Sequence, residues 1–349
     1  MSFIRAGIAG IAALTLGTAL AIPAQAEPLG DFYKGKRITI LVGYGAGGTY
    51  GRTSLLLGKH LGSAIPGNPT IVVQHMPGAG GIKAANYAYN AMPAQGYNLL
   101  MPPDMSIVSQ LLRPKKVKYK TQNFTWLGRV FGQNNTLVVR RDTGVTSLKD
   151  ATKIEVVVAS SGKGSPTFIF PTVLNALLGT KFKIVTGYKG SRKMQHSMEQ
   201  NETHGVALGW TAWYSAKPDW FRGGDKSFAI PLVQSGFKRQ KGLEHVRLIS
   251  EVFTNPEDRQ IAEMLATSSI LGRGLVLPPN SPKRLVAPLR KAFAAITKDK
   301  AFIKDAYKRG LEVDPISGAD IQAKVNQILA MSPAIVKKAR ALIFPPRKK

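Results

Sequence analysis

The residues of this sequence that are best suited to hold a ligand lie in two loops of small residues. Residues 43–51 (GYGAGGTYG) follow an apolar run and precede a leucine-rich segment, and residues 160–165 (SSGKGS) have a similar setting. A strand, a tight loop and a helix in that order present free backbone N–H groups at the helix N-terminus, where the helix dipole favours negative charge. Both loops therefore predict anion binding.

The first loop also matches a dinucleotide-binding pattern, but its surroundings argue against that function. Gly43, Gly45 and Gly48 satisfy G-x-G-x-x-G after a predicted strand. A dinucleotide site also needs an acidic residue about 20 positions further on to bind the ribose. No Asp or Glu occurs between Phe32 and Pro103, and no Gly-Lys-Ser/Thr motif for a phosphate-binding loop occurs either. We therefore expect no nucleotide cofactor.

Motifs for covalent catalysis and metal binding are also missing from the sequence. It has no cysteine and no G-x-S-x-G elbow, and its five histidines show no H-E-x-x-H spacing. The one stretch with a zinc-like cluster of acids and histidine, from Glu199 to His204, is typical of a solvated helix end. Asp104 has no evident partner for acid–base chemistry. The sequence predicts a binding protein, neither an enzyme nor a metalloprotein, with no cofactor.

The chain is strongly basic, with 48 Lys and Arg against 20 Asp and Glu in 349 residues, a formal charge of +28. Two interpretations are open: a generally basic, solvated surface, or attraction of anionic small molecules or an anionic membrane surface. The basic residues are spread along the chain and form no nucleic-acid recognition motif, so no nucleic-acid partner is expected. The hydrophobic content of 44% is that of a globular protein.

The N-terminus has the features of a secretory signal peptide. Arg5 precedes an apolar segment, and Ala24-Gln25-Ala26 forms a cleavage site of the A-x-A type. We expect residues 1–26 to be removed near Ala26, which predicts a periplasmic protein. A membrane anchor is the alternative interpretation of this segment.

Strands and helices alternate along the remaining chain, which predicts an α/β fold with mainly parallel sheets flanked by helices. Strands are predicted at 38–42, 70–75, 98–101, 137–140, 153–159 and 183–186. Helices are predicted at 83–90, 106–112, 167–178, 193–199, 257–267, 282–297, 300–309 and 318–342. Two such series imply two lobes around a cleft: residues 27–133 plus 251–349 form lobe 1, and residues 134–250 form lobe 2.

Several segments, taken in order, resemble the Bug-type extracytoplasmic solute receptors of tripartite tricarboxylate transporters. They are residues 42–51 (VGYGAGGTYG), 65–81 (IPGNPTIVVQHMPGAGG), 84–87 (AANY) and 177–188 (LLGTKFKIVTGY). The resemblance covers essentially the whole chain after residue 26. It implies a two-lobed periplasmic-binding-protein (Venus-flytrap) fold that closes on a small carboxylate and delivers it to membrane permease subunits. We expect the protein to be a monomer.

The resemblance also implies the binding residues. Backbone amides of residues 46–50 and 161–165 should hold a ligand carboxylate from the two lobes, with further residues forming the cleft wall. The complete set is Tyr44, Ala46, Gly47, Gly48, Thr49, Tyr50, Gly78, Ala79, Asp104, Ser161, Gly162, Lys163, Gly164, Ser165, Thr167, Tyr188, Gly190, Ser191 and Arg192.

The chain departs from the family pattern at two positions of the first loop. Gly51 replaces an Asp that can bind an amino group of the ligand, and Leu55 replaces an Arg. The absence of this Asp argues against an amino-acid ligand. The expected ligand is a di- or tricarboxylate or an aromatic carboxylate. Lys163 and Arg192 either face the cleft, where they could pair a second carboxylate, or point to solvent.

Two alternative functions are possible, and one aromatic cluster has two interpretations. The chain could present its ligand to a membrane sensor kinase, or it could be an exported enzyme that acts on an anionic substrate. Trp210, Trp213, Tyr214 and Trp220 form either an aromatic patch near the cleft or part of the core of the second lobe.

Overall fold

A computed structural model describes residues 28–345, which fold around two β-sheets. The strands are β1 (Arg37–Val42), β2 (Thr70–His75), β3 (Asn98–Met101), β4 (Thr125–Phe131), β5 (Asn135–Arg140), β6 (Val156–Ser160), β7 (Phe182–Thr186), β8 (Gly205–Gly209), β9 (Ala229–Ser235), β10 (Arg273–Leu277) and β11 (Ile316–Ser317). The helices are α1 (Leu29–Tyr33), α2 (Thr49–Ala64), α3 (Ile82–Asn90), α4 (Ser106–Leu112), α5 (Pro166–Leu178), α6 (Ser191–Glu199), α7 (Trp210–Tyr214), α8 (Pro256–Ala266), α9 (Ser268–Leu271), α10 (Lys283–Ile296), α11 (Lys300–Lys308), α12 (Gly318–Leu329) and α13 (Pro333–Ile343). The predicted signal peptide lies outside the described residues.

Both sheets are mixed, and each is parallel in the half built from strand–helix–strand units. The first sheet has the order β11-β4-β10-β3-β1-β2, and the second has the order β7-β6-β8-β5-β9. β1 is parallel to β2 and β3, and β6 is parallel to β7 and β8. β10 is antiparallel to its neighbours in the first sheet, as β5 is in the second. The parallel arrangement predicted from sequence therefore describes one half of each sheet.

Two of the antiparallel strands, β5 and β10, belong to the segments that cross between the lobes. The chain leaves the first sheet at the end of β4 and enters the second at β5, through Gly132, Gln133 and Asn134. It returns to the first sheet as β10, which is inserted between β3 and β4. These crossings place residues of β5 and β10 beside the cleft, where they can contact a ligand held between the lobes.

Amphipathic helices cover the sheets and set the orientation of the binding loops. In α2, Leu56, Leu57 and Leu61 are buried in the core of the first sheet, whereas Leu55 is 59% exposed. Because residues three and four positions apart share a helix face, this pattern fixes which face of α2 packs on the sheet. Helix α5 packs in the same way on the second sheet, with Ile169 and Val173 fully buried.

The tryptophans of the second lobe form part of its core. Trp213 is fully buried and Trp210 is 8% exposed, in a cluster with Met194, Met198 and Leu208. The ring centroids of Trp213 and Trp220 are 6.0 Å apart. The tryptophans therefore belong to the core of the second lobe and do not form a patch at the cleft. Tyr214, at the end of α7, is 58% exposed.

The C-terminal region departs from the sequence prediction of one long helix at 318–342. Two helices occur there, α12 and α13, and α13 begins at Pro333. Proline has no backbone N–H and is favoured in the first turn of a helix, so Pro333 starts a new helix. Helix α13 packs against α4, α5 and α8. The lobe boundaries at 133 and 250 stay a prediction, as does the assignment of α13 to the first lobe.

None of the helices within residues 28–345 combines the length and the apolar character that crossing a membrane requires.

Candidate ligand-binding site

A cavity of about 40 Å³ lies between the two sheets, at the ends of the strands from which the binding loops emerge. Ten of its lining residues belong to the set predicted from sequence: Tyr44, Gly48, Thr49, Tyr50, Asp104, Ser161, Ser165, Thr167, Gly190 and Ser191. Seven others were not predicted: Asn135, Pro166, Met194, Leu208, Gly209, Ala212 and Arg273. We refer to this space as the central cavity.

The first loop forms one wall and closes the cavity by contacts with the second lobe. The backbone N–H of Gly45 donates to the carbonyl of Lys189 at 2.7 Å, and that of Thr49 donates to Ser191 Oγ at 3.1 Å. The hydroxyls of Thr49 and Ser191 are 3.3 Å apart. These bonds join the N-termini of α2 and α6, so the lobes are in contact along this edge.

A second contact between the lobes is made by backbone against backbone. Gly80 has a φ of +71°, and a Cβ added there would lie 2.6 Å from the Ser165 nitrogen. A Cβ added at Gly162 would lie 2.8 Å from the Gly80 nitrogen. Only glycine combines a positive φ with so close an approach. We call this contact the glycine seam, formed by residues 79–80 and 162–165.

Four helices start at the central cavity. Gly48, Ser165, Gly190 and Gly209 are the N-cap residues of α2, α5, α6 and α7 respectively, and each lines the cavity. A helix N-terminus carries a partial positive charge and backbone donors. Their convergence favours the binding of an anion in the cavity.

Arg273 supplies a full positive charge at the same place. Its guanidinium lies 3.7 Å from the centroid of the Tyr50 ring, and its Nη1 is 3.8 Å from Asp104 Oδ2. Both charged side chains are about 5% exposed or less. With the Gln133 amide oriented to satisfy its neighbours, its oxygen accepts from Arg273 Nη1 at 2.9 Å. Gln133 lies in the crossing between β4 and β5 and thereby fixes the position of the Arg273 side chain.

Several buried polar atoms of the cavity lining have no protein partner among the described residues. They are Asp104 Oδ1, Asn135 Oδ1 and Arg273 Nε. Burial raises the pKa of the Asp104 carboxyl, although Arg273 opposes the shift, followed by hydrogen bonds from Asn135 and Tyr50. An unsatisfied buried polar atom costs about 1–3 kcal/mol. The cavity therefore has unused hydrogen-bonding capacity for a polar ligand.

The raised pKa of Asp104 predicts a pH dependence of stability. Between the pKa of Asp104 in the unfolded chain and its higher pKa in the folded state, the folded state holds a proton that the unfolded chain has released. The free energy of unfolding therefore falls as the pH rises through this range. Denaturant unfolding of the wild type and Asp104→Asn, from about pH 4 to about pH 8, should show the wild type losing stability relative to the variant. A constant difference across this range would contradict the shift.

The other predicted site residues lie outside the cavity lining. Ala79, Gly162 and Gly164 belong to the glycine seam, whereas a Cβ added at Gly78 would meet only Lys83 of its own lobe. The cavity lining also excludes five other predicted residues: Ala46, Gly47, Lys163, Tyr188 and Arg192. Lys163 is exposed, with its ammonium 5.8 Å from the Phe168 ring centroid, and Arg192 packs at the outer edge near Gly47.

The amides of the second loop are mostly used within that loop. The N–H of Ser161 donates to Thr167 Oγ1 at 3.0 Å, and that of Gly162 donates to Ser160 Oγ at 3.1 Å. The Ser165 N–H donates to the Gly162 carbonyl. On this side the cavity is therefore reached by the hydroxyls of Ser161, Ser165 and Thr167, and the predicted role of these amides in binding a carboxylate stays a prediction.

Gly51, where the family pattern has Asp, has a local structural reason. A Cβ at this position would lie 2.1 Å from the Ala46 carbonyl oxygen. The first loop folds back on α2 so tightly that no side chain fits without a change in the backbone. Gly51 is therefore required by the conformation of this loop.

Arg273 and Asn135 were missed because they lie on the strands that cross between the lobes. Arg273 directly precedes the apolar run Gly-Leu-Val-Leu, and this charge at the edge of a buried strand is the one signal that the sequence offers.

Among residues 28–345, no group of three or more His, Asp and Glu side chains is placed to hold a metal ion.

Comparisons with known proteins identify the fold. No protein-family model and no curated protein sequence matches the chain. The solved structure of the periplasmic binding protein BugD is similar, with a TM-score of 0.70 and 19% identity over 88% of this chain and 98% of that one. An R. palustris protein with adipate has a TM-score of 0.65 and 21% identity over 87% and 97% of the two chains. MatC from Rhodopseudomonas palustris with bound malate has a TM-score of 0.65 and 18% identity over 86% and 99%. The chain thus has the two-lobed α/β fold of the periplasmic binding proteins.

Proposed function

We propose that this protein is a periplasmic, Bug-type solute-binding receptor of a tripartite tricarboxylate transporter. It captures a small carboxylate between its lobes and delivers it to membrane permease subunits, without transforming it. The observation that carries the proposal is the central cavity, where four helix N-termini and the buried Arg273 converge between two lobes in contact. Carboxylates are the ligands that such donors favour.

The polar groups of the cavity suggest how the ligand is oriented. One ligand carboxylate faces the N-termini of α2 and α5 and the hydroxyls beside them. The unpartnered oxygens of Asp104 and Asn135 can accept from a donor on the ligand, such as a hydroxyl group. Because the cavity is small, a short hydroxylated dicarboxylate fits this arrangement better than a long unsubstituted one. Malate and adipate, which are bound by two proteins of the same fold, represent these two types.

A thermal-shift assay tests ligand binding directly. Malate should raise the melting temperature in a saturable manner, and adipate should raise it less. At a concentration about 100 times the dissociation constant, a ligand that binds only the folded state adds about 2.7 kcal/mol of stability. Calorimetry should then give one site per chain.

Matched ionic strength with sodium chloride is the necessary control for so basic a protein. A panel of dicarboxylates, tricarboxylates and aromatic carboxylates that gave neither a thermal shift nor binding heat would refute the proposal. Recovery of chemically altered ligand would instead support an enzyme. Transport is distinguished from sensing by uptake of labelled ligand into cells with and without the gene for this chain.

A further inference from the structure

A second, strongly basic cavity lies on the other side of Thr49 from the central cavity. Its volume is about 380 Å³, and Thr49 lines both spaces. Residues of α2 and the end of α11 form one side, and residues at and after the end of α7 form the other. A Cβ added at Gly310 would lie 3.2 Å from Ser215 Cα, so the two lobes touch here.

The lining of this second cavity contains cations and no acid. Arg52, Arg222, Lys308 and Arg309 line it, and none of its lining residues is Asp or Glu. Arg222 is paired with Asp219 at 2.7 Å outside the lining, and both are exposed. Burial, followed by repulsion from Arg192 and Arg309, lowers the pKa of the Arg52 guanidinium. Like charges gathered in this way are costly unless an anion compensates them.

Buried polar atoms without a partner point to the same space. Thr53 is fully buried and lines the second cavity, and its Oγ1 has no hydrogen-bond partner among residues 28–345. Arg52 Nε is buried and lacks a partner within the same residues, while Arg52 Nη2 donates to Ser215 Oγ at 3.0 Å across the lobes. A buried hydroxyl and a fixed guanidinium can both donate to the oxygens of an anion.

We propose that this second cavity binds a small multivalent oxyanion, such as inorganic phosphate, through Arg52, Arg309 and the Thr53 hydroxyl. The site is separate from the central cavity and does not depend on the proposed carboxylate function. Because Arg52 also donates to Ser215 of the second lobe, an anion that fixes the Arg52 side chain stabilises the lobes in contact. The anion acts as a latch at the edge of the cleft.

Calorimetry and thermal shift with inorganic phosphate, at constant ionic strength, test this proposal on the full chain. The wild type should bind one phosphate saturably. Arg52→Gln and Arg309→Gln should each weaken binding about tenfold or more, the loss expected for one charge-assisted hydrogen bond. Thr53→Val, which keeps the charge and the shape, should weaken binding by a smaller factor.

Two controls make the result specific. Arg259→Gln removes an equal charge from an exposed position on α8 and should leave phosphate binding unchanged. Ser165→Ala removes a hydroxyl that lines the central cavity and not the second cavity, and it should also leave phosphate binding unchanged. An equal loss in Arg259→Gln would indicate general electrostatic attraction, and a loss confined to Ser165→Ala would place the anion in the central cavity. Either result, or no saturable binding by the wild type, would overturn the proposal.

Discussion

Replacing Arg273 with Met should lower the free energy of unfolding at neutral pH by about 3–5 kcal/mol and abolish carboxylate binding. Asp104 is only 4% exposed, and Arg273 Nη1 lies 3.8 Å from its carboxylate. Removal of the cation leaves that carboxyl buried without a compensating charge. Urea unfolding and calorimetry with malate measure the two effects.

The pH dependence of this loss identifies its cause. Arg273 lowers the pKa of Asp104 against the effect of burial, so the Arg273→Met variant should have a still higher Asp104 pKa. The stability difference between wild type and variant should therefore shrink as the pH falls and Asp104 takes up a proton. A difference that does not vary with pH would indicate that lost packing, and not charge, explains the effect.

A double variant and a matched arginine complete this experiment. Asp104→Leu combined with Arg273→Met removes both charges and should recover much of the lost stability, because the buried unpaired charge is gone. Arg290 donates through its Nε to the Trp126 carbonyl at 2.9 Å, so Arg290→Met should cost only about 0.5–1.5 kcal/mol. A double variant no more stable than Arg273→Met would contradict the importance of the pair.

Substituting Gly80 with Ala should weaken carboxylate binding about 10- to 100-fold, as expected for an overpacking penalty of about 1–3 kcal/mol. The added Cβ would meet the Ser165 nitrogen at 2.6 Å and the Gly164 carbonyl carbon at 2.8 Å. Both are backbone atoms, so no side-chain rotation relieves the contact. The lobes must separate along the glycine seam, which opens the central cavity.

Gly179 is a matched control for the backbone strain in this variant. Its φ is +70°, close to the +71° of Gly80, but a Cβ there would meet nothing within 4 Å. Gly80→Ala and Gly179→Ala should each lose about 1–2 kcal/mol of stability from the left-handed conformation. Only Gly80→Ala should lose ligand affinity, as measured by calorimetry. If the two variants bind the carboxylate with equal affinity, an intact glycine seam is not required for binding.

Local patterns were sufficient to predict much of the fold. The strands at 70–75 and 98–101 were predicted at their observed bounds, because an apolar run between turns is a short-range signal. Strand β8 was missed because Gly205–Gly209 is short and three of its five residues are glycine or alanine. Strand β9 was missed because Pro231 interrupts its pattern.

By itself, the sequence determined the two loops of small residues before α2 and α5, since the order of strand, loop and helix is encoded locally. It could not determine which loop residues reach the ligand space. That depends on how two separate sheets meet, and their contact placed Ala79, Gly162 and Gly164 in the glycine seam. The tertiary structure alone brought Arg273 to Asp104, because β10 returns to the first sheet only after the whole second lobe has been built. The charge of the central cavity is therefore a property of chain topology, which no local pattern contains.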